Sequence, residues 1–183
     1  MSLYWLKLGF TDDSSLLVSK AIRKVTGGPS HVLVEVFEVT DGGRHDHYYF
    51  ESMATVDKTT HKNGVRGPLP AAKLAAWLAE KPGSRTLVEV PGNGYLPLSQ
   101  EEAAAAVIRM RDATHLIHYA ALQLVGNFMA ATLKTRLSFG GGSPLRWTCC
   151  EMPVRTLVIP PRWWDLLGLD NVNADELWPG GSS

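Results

Sequence analysis

Cys149 and Cys150 are the only cysteines in a chain of 183 residues, and they are adjacent. They lie within Trp147-Thr148-Cys149-Cys150-Glu151-Met152-Pro153-Val154-Arg155-Thr156-Leu157, just after the turn-rich run Gly140-Gly141-Gly142-Ser143-Pro144. Met152, Val154, Thr156 and Leu157 suit a short buried helix, and Pro153 is tolerated only in its first turn. A cysteine where a loop becomes a helix meets unpaired backbone N–H groups and the positive end of the helix dipole, and both favour thiolate over thiol. The chemistry this suggests is nucleophilic attack by one of the pair. The competing reading is two small buried hydrophobes, the commoner fate of a cysteine. A disulfide between neighbours is strained, so the sequence predicts no disulfide framework.

A thiol nucleophile needs a base to take its proton and a third group to orient that base. Of the six histidines, His31 stands out, because it opens a valine-rich strand directly after Gly27-Gly28-Pro29-Ser30. The next strand carries His45, His47 and Glu51 on one face by period two. A carboxylate or a second imidazole from that face would fix the tautomer of His31. His31 is otherwise a strand-initial surface residue. Glu51 follows Tyr48-Tyr49-Phe50, so it lies against the core, where a carboxylate needs a partner. Asp112, His115 and His118 recur at intervals of three, a weak pattern for a metal face. The Cys-Cys pair lacks the Cys-x-x-Cys spacing of zinc sites. No metal and no cofactor is expected.

The elements that must position these groups follow from pattern. Tyr4 to Phe10 reads as a strand, and Thr11-Asp12-Asp13-Ser14 as the cap of a helix through Leu16, Leu17, Ile22 and Lys24. His31 to Val39 alternates, with Val32, Val34 and Val36 on one face and His31, Leu33, Glu35 and Phe37 on the other. Thr40-Asp41-Gly42-Gly43-Arg44 is a hairpin turn into a strand from His45 to Ser52. A third strand is expected near Ala54 to His61, before the turn signal Asn63-Gly64. Pro70 to Glu80 reads as a helix, Arg85 to Val90 as a short strand, and Gln100 to Arg111 as a helix opened by the capping box Ser99 and Glu102. Further helical stretches are expected over Tyr119 to Leu133 and Trp163 to Leu167, with a last capping box at Asn173 and Glu176. The tail from about Pro179 is expected to fray. The sum is α+β: a small, largely antiparallel sheet packed against helices, in one domain over residues 1–183.

Composition is ordinary for a globular protein, with 45% hydrophobic and 20% charged residues. Formal net charge is zero, so nothing favours nucleic acid as a partner. No apolar run approaches the roughly 18 residues that span a bilayer, so no integral membrane segment is expected. Met1-Ser2-Leu3-Tyr4-Trp5-Leu6-Lys7 lacks a basic region followed by an apolar core, so no signal peptide is expected and the cytoplasm is the default compartment.

The order His31, Glu51, Cys149 resembles that of the circularly permuted NlpC-type cysteine peptidases, papain-like proteins related to the lecithin–retinol acyltransferase group. His31-Val32-Leu33-Val34-Glu35-Val36 resembles the strand that carries their base. Tyr49-Phe50-Glu51-Ser52-Met53, then Gly64-Val65, resembles the next strand, which carries the third polar group, a Glu or a His. Tyr119-Ala120-Ala121-Leu122-Gln123-Leu124 resembles the helix ahead of the nucleophile. Trp147-Thr148-Cys149-Cys150-Glu151 resembles the Cys-Ser-Glu nucleophile motif, and Asn173-Ala174-Asp175-Glu176-Leu177 the C-terminal helix cap. The match runs in order from roughly residue 3 to 178. Two features depart from the pattern: Cys150 replaces the usual small hydroxyl residue, and Pro153 enters the nucleophile helix early.

The resemblance implies a papain-like, permuted NlpC-type fold and a thiol hydrolase or transferase acting on an amide or ester. Cys149 would be the nucleophile, His31 the base, Glu51 the orienting group, and Tyr119 a donor to the oxyanion or a positioning group. Cys150 and His47 are the second choices. The resemblance implies first the amide bond of a cell-wall-type peptide, because Glu51 as third group matches the peptidase-like branch, and as the alternative a lipid acyl group, whose branch commonly uses His; the partner is a small peptide or acyl substrate. A non-catalytic binding module on the same frame is the alternative, with its groove built from the six tryptophans and the apolar segment Leu124 to Leu137.

Overall fold

Val32, Val34 and Val36 are wholly buried, and their β-branched side chains make one face of β2 (His31–Val39) a packing surface. The neighbouring strands are β1 (Leu3–Asp13) and β3 (His45–Met53). In the computed structural model, which describes residues 2–26, 29–56, 63–88, 95–120, 145–149 and 151–157, these strands form the centre of an antiparallel five-stranded sheet. Its edges are β4 (Gly64–Pro70) and β5 (Arg85–Val88), and its order is β4-β3-β2-β1-β5. The hairpin between β2 and β3 closes where expected, with Gly43 N–H donating to Thr40 O at 2.8 Å and Thr40 N–H to Arg44 O at 3.0 Å.

The valine face packs against α3 (Gln100–Leu116). Ala103, Ala106, Val107, Met110 and Ala113 recur at helical spacing and are buried against Leu6, Val34, Val36, Phe50 and Val65. Three small alanines let the helix approach the sheet closely. The capping box opens this helix: Glu102 N–H donates to Ser99 Oγ at 3.2 Å, and Ser99 N–H to Glu102 Oε2 at 2.8 Å. The helix α4 (Glu151–Thr156) joins the same core through Met152, with Leu157 just beyond it. Arg109 Nε donates to Thr156 O at 2.8 Å and ties α4 to α3.

Among the described residues, two helices lie toward the other face of the sheet. Helix α2 (Ala71–Glu80) begins after Pro70 and lays Leu74, Trp77 and Leu78 on Leu33, Tyr49 and Leu69. Helix α1 (Leu17–Thr26) is tied down by Asp12, which accepts from Arg23 Nη1 at 2.8 Å and from Ser30 Oγ at 2.7 Å. The second bond anchors the residue immediately before His31.

Three expectations are corrected. Asp12 and Asp13 do not cap a helix from a loop; they extend β1, where Asp13 pairs with Arg85 of β5 in register. Arg85 Nε donates to the Asp13 carboxylate at 2.9 Å, a partner sequence pattern does not show. Ala54 and Thr55 form a bend rather than a strand, and the fourth strand is the glycine- and proline-containing segment Gly64–Pro70. Tyr119 does not open a helix. Ile117 ends α3 with extended backbone, and His118–Tyr119 becomes β6, pairing in parallel with β7 (Arg146–Trp147). The expected strand residues 57–61 and 89–90, the helical stretches over 121–133 and 163–167, the Asn173 capping box and the tail lie outside the described residues. Among the described residues no helix is long and apolar enough to cross a membrane.

Candidate active site

Period two puts His31, Leu33, Glu35 and Phe37 on the face of β2 away from α3. The β2–β3 register sets Leu33 opposite Glu51 and Phe37 opposite His47. Glu51 therefore lies diagonally across from His31, and the His31 Nε2 to Glu51 Oε2 distance is 3.0 Å. The His31 ring also hydrogen-bonds the Cys149 side chain. With Nε2 taken by Glu51, Nδ1 is the nitrogen left for the sulfur. Three residues separated by up to 118 positions thus form one chain: carboxylate, imidazole, thiol.

Cys149 is buried, at 5% exposure. It occupies the turn between β7 and α4, and three bonds fix that turn. Ser52, next to Glu51, donates from Oγ to Trp147 O at 3.1 Å. Ala120 N–H donates to Trp147 O at 3.3 Å through the β6–β7 ladder, and Met152 N–H donates to Thr148 O at 3.3 Å. The nucleophile candidate is thereby tied to the strand that carries Glu51.

Electrostatics follow from that geometry. Burial disfavours a charged His31, but the hydrogen bonds and negative charge of Cys149 and Glu51 outweigh it and raise the imidazole from 6.5 to about 10. Burial pushes the Glu51 carboxyl up, but His31 and Arg66 overcome that and hold it below its ordinary value. Burial, then the charge of Glu51, pushes Tyr49 up to about 12. The imidazole thus lies between the Glu51 carboxylate and the Cys149 sulfur, where a charged ring favours negative charge on either side.

Tyr119 is buried and lines the same cleft as Cys149 and His31, a cavity of about 580 Å3. Leu16, Leu33, Met53, Leu69, Leu74 and Trp77 form its apolar walls. Several charged lining groups are already engaged: Asp13 and Glu80 with Arg85, Glu51 with His31 and Arg66. Arg85 also lies 4.6 Å over the Trp77 ring. Lys73 adds a cation from the exposed side of α2.

His47 is not brought to His31. It stands six residues along the ladder, roughly 20 Å away at strand rise. There its Nε2 lies 2.9 Å from Glu35 Oε2 and its ring stacks on Phe37 at 4.1 Å between centroids. Lys7 completes that cluster at 3.9 Å from Glu35. His45 is exposed at the hairpin end. Cys150 lies outside the described residues. Asp112 and His115 belong to α3 but His118 to β6, so the three do not share a helix face. Among the described residues no group of three His, Cys, Asp or Glu side chains is placed to hold a metal. Sequence reasoning missed Arg66, whose Nη2 donates to Glu51 Oε1 at 2.7 Å, and Ser52. Both sit beside residues it did select. Ser52 carried a usable signal, a polar residue following the buried Tyr48–Glu51 run.

Compared with models of known protein families, with curated proteins and with solved structures, the chain matches none.

Proposed function

We propose that the protein is a thiol hydrolase or acyltransferase in which Cys149, His31 and Glu51 act as nucleophile, base and orienting group, on a papain-like frame of the permuted NlpC type. The observation that carries this reading is the His31 ring held between the Glu51 carboxylate and the Cys149 sulfur. The Cys149 thiolate attacks the substrate carbonyl carbon, and the carbonyl π electrons move onto oxygen. The Cys149 backbone N–H and the Tyr119 hydroxyl are the oxyanion donors. As the C–N or C–O bond breaks, its electrons go to the leaving group, which takes the proton from His31. The product is a Cys149 thioester. Water, losing a proton to His31, then attacks the thioester, and Cys149 leaves as thiolate. An alcohol or amine in place of water gives acyl transfer.

Both substrate classes fit this chemistry, a wall-type peptide amide and a lipid-like acyl group. The cleft walls favour the second, because Leu33, Leu69, Leu74 and Trp77 offer an acyl chain apolar contact. A charged stem peptide finds several of the cleft's ionic groups already paired with one another.

The test is labelling by iodoacetamide at mildly acidic pH, compared between the wild-type protein and Cys149→Ala. Wild-type protein labels at Cys149 and the variant does not. Labelling that persists unchanged, or sits wholly on Cys150, overturns the assignment. A panel of acyl esters and wall peptides then separates the substrate classes, and reactive Cys149 with no turnover of either marks a binding module.

A further inference from the structure

Arg66 reaches the site through an irregularity in the sheet. Between β3 and β4 the ladder pairs Tyr49 with Leu69, but then pairs Glu51 with Arg66. An uninterrupted antiparallel ladder would continue with Glu51 opposite Gly67 and Ser52 opposite Arg66. Arg66 would then point to the face that carries Phe50 and the α3 core, where a guanidinium has no partner. The structure has one extra residue in β4 at this point, a β-bulge. It turns Arg66 onto the face of Glu51 and leaves Val65 opposite Ser52, inside the core. Gly67 makes this possible. Its φ is +138°, and an added Cβ would lie 2.4 Å from Phe50 Cδ1 and 2.8 Å from Tyr49 O.

We infer that Arg66 is the positioning residue of the candidate site, aimed by the Gly67 bulge so that it keeps Glu51 ionised and turned toward His31. The inference rests on the proposed thiol chemistry. Glu51 presents two oxygens and both are committed: Oε1 accepts from Arg66 at 2.7 Å and Oε2 faces His31 Nε2 at 3.0 Å. Without the first bond the carboxylate is held at one oxygen only, by His31, and is protonated more readily. Once protonated, it no longer supports an imidazolium beside Cys149.

The groups facing Glu51 come from several elements. His31 belongs to β2, Arg66 to β4 and Tyr49 to β3, the strand of Glu51 itself, while Cys149 acts through His31. Asp13 of β1 and Lys73 and Glu80 of α2 line the same cleft, and Asp13 and Glu80 are neutralised by Arg85.

The experiment measures the rate of Cys149 alkylation by iodoacetamide from pH 4 to 8 in the full chain, for wild type, Arg66→Met and Arg66→Lys. The acid limb of R66M is expected to move up by about one pH unit, which slows alkylation at pH 5 by about tenfold. R66K is expected to lie between R66M and wild type, because it keeps the charge and loses the fork. In a Glu51→Gln background, R66M is expected to shift nothing further. An R66M limb that superimposes on wild type while thermal stability falls overturns the inference and leaves the parent reading intact. If R66M does not fold, the R66K limb decides in the same way: displaced upward it supports the role, superimposed it refutes it. A wild-type limb near the ordinary thiol value of about 8.5 sinks the thiol chemistry itself, and this inference with it.

Discussion

Glu51→Gln is the most informative single change, because it preserves shape and removes one acceptor. The wild-type carboxylate accepts from Arg66 Nη2 at 2.7 Å and lies 3.0 Å from His31 Nε2. A glutamine has one acceptor oxygen and one donor NH2. The guanidinium is always charged, so the oxygen turns to Arg66 and the NH2 faces His31. The ring then places its lone pair on Nε2 and its proton on Nδ1, toward the sulfur. A base whose proton already points at the nucleophile cannot take another. General-base assistance is worth roughly 10²–10⁴ in rate, and that is the loss expected in turnover of an acyl ester at pH 6. Folding is weakened as well, because the bonds to His31 and Arg66 both lose the carboxylate charge, at about 1–3 kcal/mol each. The assay pairs kcat/KM and alkylation rate with a denaturant titration. Glu51→Asp, which retains the charge on a shorter stem, should recover part of the rate. If E51Q keeps its alkylation and turnover within about threefold of wild type while remaining folded, Glu51 does not set the state of His31 and the triad is wrong.

The same residues set the pH dependence of stability. His31, raised from 6.5 to about 10, contributes stability that is complete below about 6.5 and is lost as pH rises through about 10; Glu51, lowered, contributes stability that is present above its unfolded value and is lost as pH falls through its folded one. Urea midpoints across pH 3–11 should show both losses, and Cys149→Ala should draw the alkaline one toward lower pH; an unmoved alkaline limb would separate His31 from the sulfur. Gly64→Ala is expected to cost roughly 3 kcal/mol or more, because the added Cβ would lie 2.2 Å from Ile117 O and 2.7 Å from His118 Cα at a φ of +118°. Thermal melts check this, and a loss under about 1 kcal/mol would mean that β6 yields freely to β4.

Local rules made much of the frame legible. The alternation in β2, the hairpin at Asp41–Gly43, Pro70 ahead of α2 and the Ser99–Glu102 box each depend on neighbours within a few residues. What escaped depends on partners far along the chain. Asp12 and Asp13 look like cap residues because locally they prefer that role, yet Arg23, Ser30 and Arg85 hold them in a strand. β4 reads as punctuation because Gly64, Gly67, Pro68 and Pro70 interrupt it. At the sheet edge, however, a strand needs partners on one side only, so prolines are accepted there.

The site divides along the same line. Parity alone puts His31 on one face of β2, and Glu51 and His47 together on one face of β3. It cannot choose between the two partners, because a slip of four residues preserves parity while exchanging one for the other. The register makes the choice, through a hairpin that sets Phe37 opposite His47 and Leu33 opposite Glu51. His47 then finds Glu35, and Glu51 is left for His31. Arg66 is a further step removed, since its parity is reversed by a bulge that no period-two pattern can register. A sequence reading of such a site can therefore name the face and the residue types, while the pairing that gives each histidine its carboxylate is decided by turn length and one inserted residue.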